Sequence, residues 1–140
     1  MSLPEPTDDA LRKILASVKT IAIVGASDKH ERPVYGVMRF LQGRGYRCLP
    51  VNPRLAGQDL LGETVFASLL EIHESVDMVD VFRRSEDVGP IAEDAARLGA
   101  KVLWMQLGVI NESAAKFAGD AGLEVVMNRC PAIEIPRLGI

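Results

Sequence analysis

Five short apolar runs alternate with stretches of helical periodicity along this chain of 140 residues, and that alternation constrains the fold more than any other feature. The runs lie at 20–24, 46–51, 78–82, 102–105 and 123–127. Each is too short for a helix and apolar at most of its successive residues, as strands buried on both faces are. Strands separated by helices demand crossover connections and a parallel sheet. Right-handed crossovers then give an α/β, three-layer, Rossmann-like doubly wound sandwich with a mainly parallel five-stranded sheet.

The helices follow from spacing. Leu11, Ile14, Leu15 and Val18 recur at one helical face after Thr7, with Asp8 and Asp9 in the first turn. Val34, Val37, Met38 and Leu41 repeat the pattern, with Gly43 and Gly45 as the stop. Residues 65–72 form a weaker helical pattern, and Pro50 and Pro53 break the second strand. Ser85 is placed to cap a helix with Val88, Ile91, Ala92 and Ala95 inward, although Pro90 moves its start toward Val88. Gly99 ends it. Asn111 caps a last helix with Ala114, Phe117, Ala118 and Ala121 inward, and Gly122 stops it.

Length and composition narrow the class. One domain over 1–140 is expected, with its core at about 10–132 and a tail at 133–140. Lys and Arg number 16 against 19 Asp and Glu, a net charge of -3, and aromatics are 5%. A nucleic-acid partner is therefore not expected. No apolar run reaches the ~20 residues of a membrane span. The acidic, proline-containing segment 1–9 is unlike a secretory signal, and two cysteines, Cys48 and Cys130, fit a reducing cytoplasm.

Ligands of such sheets bind beyond the carboxyl ends of the strands, at the point where strand order reverses. After the first strand come Gly25, Ala26 and Ser27, small residues that let a phosphate approach backbone N–H groups at a helix N-terminus. Lys29, His30, Arg32 and Tyr35 follow. The string is not the full G-x-G-x-x-G fingerprint, and an ordinary strand-to-helix turn is the alternative. After the second strand come Val51, Asn52, Pro53 and Arg54, with no acid to accept from the ribose hydroxyls of NAD. Arg54 suits a ribose phosphate, as in NADP or coenzyme A, unless the segment is only a proline-stiffened loop.

Phe82 and Arg83, with Arg84, form an anion clamp after the third strand, or else arginines paired with Glu86 or Asp87. Gln106, Leu107 and Gly108 follow the fourth strand, where Gly108 keeps a passage open and Gln106 bonds amides along it. Asp80, inside a strand, requires a partner from a neighbouring loop. Cys130 reads as a reactive thiol at the ligand edge or as a small buried one, the second being favoured. His73 reads as a surface residue. No catalytic or metal-binding motif is present, so neither catalytic nor metal residues are assigned.

In order, residues 20–27, Tyr35-Gly36-Val37, Pro50-Val51-Asn52-Pro53, Asp80-Val81-Phe82-Arg83, 104–109 and Asn128-Arg129-Cys130 resemble the small stand-alone CoA-binding domain proteins. These are similar to the N-terminal domain of the succinyl-CoA synthetase α subunit. The resemblance spans about 10–132. It implies that Gly25, Ala26 and Ser27 hold phosphate oxygens, that Val51, Asn52 and Pro53 border the adenosine, and that Arg54 lies near its 3′-phosphate. It further implies that Phe82 and Arg83 flank the ligand and that Gln106, Leu107 and Gly108 border the pantetheine arm. The synthetase has a more glycine-rich first loop and carries its phosphohistidine in a second domain, which this length does not accommodate.

The expectation is a CoA- or acyl-CoA-binding module without catalysis of its own, either a homo-oligomer or paired with a larger acyl-CoA enzyme. The alternatives are a small NADP-dependent oxidoreductase and a regulatory subunit of a larger ligase or acyltransferase.

Overall fold

The computed structural model describes residues 5–140; of the N-terminal segment 1–9 discussed above, residues 1–4 lie outside them. The chain opens with helix α1 (Asp8–Ser17), whose N-cap Thr7 accepts a hydrogen bond from the Ala10 N–H. Strand β1 (Thr20–Val24), helix α2 (Pro33–Gly43) and strand β2 (Arg47–Val51) follow. Then come the two-residue strands β3 (Asp59–Leu60) and β4 (Glu63–Thr64), and strand β5 (Met78–Val81). The remaining elements are helix α3 (Val88–Leu98), strand β6 (Val102–Met105), helix α4 (Glu112–Asp120), strand β7 (Glu124–Val126) and helix α5 (Pro131–Leu138).

The main sheet is parallel throughout, in the order β2-β1-β5-β6-β7. The expected doubly wound sandwich is therefore the fold. Alternate residues of each strand serve opposite layers. Ile21, Ile23, Met78 and Trp104 pack with α1, α2 and α5, whereas Ala22, Val24, Val79, Val81, Leu103 and Met105 pack with α3 and α4. Strand order reverses between β1 and β5, so the loops after these two strands flank the switch point.

Several local expectations are corrected. Pro50 lies within β2 rather than breaking it, because β2 is an edge strand. The Pro50 carbonyl faces outward and accepts from the Phe66 N–H at 2.9 Å, so the missing proline N–H costs no bond within the sheet. The segment 65–72 is extended at Phe66, which bridges Val51 in parallel, and only Leu69–Glu71 forms a single 3-10 turn. Long-range pairing with β2 overrides its weak helical pattern.

Helix α3 starts at Val88 as Pro90 required, and Gly99 closes it in the left-handed conformation. Ser85 does not cap it. Its hydroxyl instead accepts from the Ile110 N–H at 2.9 Å and joins the loops after β5 and β6. In α4, Asn111 caps as expected, but Ala115 faces inward with Ala114 and Ala118 while Phe117 and Ala121 are exposed. The small alanines let α4 lie close to α3, and the phenylalanine is turned out.

Most of 133–140 is helical rather than a tail. Ile135 and Leu138 of α5 enter the core. Arg137 ties Glu134, which is buried, to Asp8 of α1 at 2.8 Å on each side.

Candidate functional site

A cleft of about 860 Å3 opens along the carboxyl ends of the strands, within the size range of small-molecule sites. Its wall is assembled from the loops after β1, β2, β5 and β6, the start of α2, and the segment after β7. A smaller cleft of about 380 Å3 adjoins it toward α3, sharing Gly25, Asn52, Pro53, Arg83 and Asp87.

Gly25 sits at the switch point with φ +89°, and a Cβ there would overlap the Phe82 carbonyl oxygen. Glycine is thus required by both backbone conformation and space. The Gly25 N–H donates to the Val51 carbonyl at 3.0 Å, which joins the first two strand ends. Beyond it, the Ser27 hydroxyl accepts from the Lys29 N–H at 3.1 Å and folds the loop back toward α2. Among the described residues the Ser27, Asp28 and Val34 amides donate to no protein acceptor, and no side chain caps α2. The Val34 N–H at the positive end of this 11-residue helix is therefore uncapped, and Val34 lines the cleft.

Five cationic side chains (Lys29, Arg32, Arg54, Arg83 and Arg84) line this cleft against two carboxylates, Asp28 and Asp87. The concentration of positive charge is local, since the chain as a whole is negative. Arg83 and Arg84 both reach Asp87, at 3.3 and 3.4 Å, so the expected pairing with an acid is present. Slight burial pushes the Asp87 carboxyl up, but hydrogen bonds and charge from Arg84 and Arg83 outweigh it and hold the group below its ordinary range. Lys29, Arg32 and Arg54 form no ion pair among the described residues.

Of the residues singled out from sequence, Gly25, Ala26, Ser27, Arg32, Asn52, Pro53, Arg54, Phe82, Arg83, Gln106 and Leu107 share the cleft wall. Val51 lines only the smaller cleft. Tyr35 stacks on His30, with ring centroids 4.2 Å apart, and lies outside both walls. Gly108 also lies outside them. Its N–H donates to Asn128 Oδ1 at 2.8 Å, and its φ of +80° serves a turn. Asn52 is spent on the scaffold: Nδ2 donates to the Ala26 carbonyl, and Oδ1 accepts from the Arg54 N–H.

Sequence reading passed over Val34 and Val37, which form an apolar stretch of wall, and Ile133, which lies in the supposed tail. The helical pattern marked both valines as core, and one turn of α2 does both jobs. Gln106 is 7% exposed, and its Oε1 is buried without a hydrogen-bond partner. Cys130 lines the same cleft, while Cys48 is shut in the core, where burial and the charges of Asp80 and Glu63 push its thiol up to about 12. Asp80 is fully buried, and neither oxygen finds the expected partner. Burial raises its carboxyl well above the ordinary value.

The model of the CoA binding domain family matches residues 19–136. The chain belongs to that family. This CoA-binding domain is 37% identical over 128 residues to the uncharacterized protein YneT of Bacillus subtilis, covering 91% of this chain and 93% of that one. A hypothetical protein from Pyrococcus horikoshii has a solved structure that matches it with a TM-score of 0.92 at 39% identity, over 100% of both chains. The α subunit of an ADP-forming acetate–CoA ligase of Pyrococcus furiosus is 31% identical over 93 residues. That match takes in 64% of this CoA-binding domain and only 20% of the ligase subunit. No helix of the described residues is long and apolar enough to cross a membrane.

Proposed function

We propose that the cleft binds coenzyme A or an acyl-CoA, and that the chain performs no reaction on it unaided. The supporting observation is the set of unpartnered amides at Ser27, Asp28 and Val34 beside Lys29, Arg32 and Arg54. Oriented N–H groups and cations of this kind suit the diphosphate and the 3′-phosphate of the coenzyme. Gly25, Ala26 and Ser27 leave room for phosphate oxygens to reach the backbone. Pro53 borders the adenosine, and Arg54 meets the ribose phosphate. Phe82 and Arg83 flank the middle of the ligand, and Gln106 and Leu107 border the pantetheine arm. Asn52 acts indirectly in this reading, as the brace between loops. Neither histidine lines the cleft, which leaves few groups for acid–base chemistry.

The likeness to one fifth of a ligase subunit supports a role in which the bound thioester is handed to a larger acyl-CoA enzyme. A cytoplasmic setting goes with this reading, since both cysteines are free. Isothermal titration with CoA, NAD and NADP tests it. Heat with CoA and none with NAD is expected, whereas binding of NADP without CoA would replace it with a small NADP-dependent oxidoreductase.

A further inference from the structure

The cations of the cleft wall fall into two groups. Arg83 Nη2 and Arg84 Nε converge on a single atom, Oδ2 of Asp87, at 3.3 and 3.4 Å. Two guanidiniums on adjacent residues repel, and the carboxylate between them offsets that repulsion. Lys29, Arg32 and Arg54 meet no carboxylate among the described residues. Three of the five charges are therefore open, and two already share an anion.

The place of Asp87 in the chain explains why its carboxylate is available. Asp87 is the N-cap residue of α3, yet its side chain caps nothing. A capping oxygen accepts from the second or third helical residue, and the third is Pro90, which has no N–H. The backbone at Asp87 is also helical (φ -89°, ψ -6°) rather than extended, as capping residues are. The carboxylate is left to the arginines, while the positive end of α3 still favours its charge.

Asp87 and Arg83 stand where the two clefts meet, since each lines both. The stem of Arg83 lies against Gly25, its Cδ 3.2 Å from where a Cβ on that glycine would be. Asp87 thus anchors the tip of a side chain that crosses the switch point between the loops after β1 and β5.

We infer that Asp87 is an internal counter-ion of the cleft, a carboxylate seated on Arg83 and Arg84 in place of a phosphate oxygen, and that ligand binding exchanges the one for the other. This rests on the coenzyme reading above and adds to it a residue that sets affinity and selectivity. Any anion that takes these two arginines must displace a carboxylate already held by the fold. A diphosphate does so, with more charge and more acceptor oxygens than one carboxyl group. Chloride or a monocarboxylate brings no such advantage. Asp87 keeps the arginines from small anions and lowers affinity for the coenzyme in doing so.

Isothermal titration with CoA tests this on the wild type, Asp87→Asn and the neighbouring Glu86→Gln, with urea unfolding as the check on folding. Asparagine suits an N-cap position as well as aspartate does, so Asp87→Asn keeps the fold. It should bind CoA about fivefold tighter than the wild type, and its affinity should fall more steeply as KCl is raised, because chloride then competes for the freed guanidiniums. Glu86 forms no ion pair among the described residues, so Glu86→Gln should change affinity by less than about twofold. A second readout is independent of affinity. Slight burial raises the Asp87 carboxyl, but Arg84 and Arg83 hold it below its ordinary range. By carboxyl-carbon NMR it should titrate higher in the CoA complex than in the free protein, since it loses the arginines and gains a phosphate neighbour.

Unchanged or weaker CoA binding by folded Asp87→Asn would overturn the exchange and leave the coenzyme reading standing. So would an equal gain in Glu86→Gln, which would reduce Asp87 to one negative charge among others, or an Asp87 carboxyl that titrates no higher in the complex. Absence of CoA binding by both the wild type and Asp87→Asn would overturn the coenzyme reading and the exchange together.

Discussion

The Asn52 side chain bridges the first two strand ends, donating from Nδ2 to the Ala26 carbonyl at 2.8 Å while Oδ1 accepts from the Arg54 N–H at 2.9 Å. One amide thus fixes the spacing between the candidate phosphate loop and the arginine expected to meet the ribose phosphate. Asn52→Ala removes both bonds and is expected to cost about 1–2 kcal/mol in urea unfolding. Asn52→Asp keeps the acceptor but loses the donor, so it should retain part of that stability. In both variants CoA affinity by titration should fall, and more steeply than stability alone explains; unchanged affinity in the folded alanine variant would separate the brace from the site.

Gly25→Ala tests the switch point. A left-handed φ and the overlap with the Phe82 carbonyl act on the same added methyl group. Strain of this kind costs about 1–3 kcal/mol, and relief requires the loops after β1 and β5 to part. Thermal unfolding should show a clear loss, and CoA binding should fall below detection at concentrations that saturate the wild type.

Arg54→Ala should weaken CoA about tenfold, or ~1.4 kcal/mol, yet leave dephospho-CoA nearly unaffected. Its guanidinium has no ion-pair partner to release among the described residues. Equal losses for the two ligands in titration would remove Arg54 from the phosphate contact.

Asp80 supplies a pH signature. Burial raises its folded carboxyl above the unfolded value of 3.8, so the folded chain keeps the proton after the unfolded chain has released it. Its contribution is therefore fully present below pH 3.8 and is lost as pH rises toward the folded value. Asp80→Asn cannot ionise. The stability of this variant relative to the wild type should rise with pH above 3.8, by at most about 1.4 kcal/mol per unit. A constant difference in urea unfolding between pH 4 and 8 would show that Asp80 does not titrate differently on folding.

Strand positions were legible because these strands are apolar on both faces, a pattern that short-range periodicity carries by itself. β1 and β6 lie where the apolar runs lie. The extension at Phe66 was not legible, because it is decided by partners on β2. The Phe66 N–H and carbonyl bond Pro50 and Asn52, and no local pattern encodes that pairing. Helix α5 was missed because its anchors are distant in sequence: Arg137 meets Asp8 across 129 positions.

The candidate site divides the same way. Topology places the loops after β1, β2, β5 and β6 at one edge, so most wall residues could be named. Which polar side chains stay free could not be read. Asn52, Ser85 and Asn128 are consumed by bonds between loops, and Asp80 has no partner at all.

Pro50 has a consequence beyond the site. At one margin of the sheet, β2 turns outward a residue without an N–H, and Phe66 already occupies the neighbouring carbonyl and amide. At the other margin, β7 is three residues long. Neither side offers a template on which a second copy could add a strand, which protects a sheet this apolar from running on into fibres.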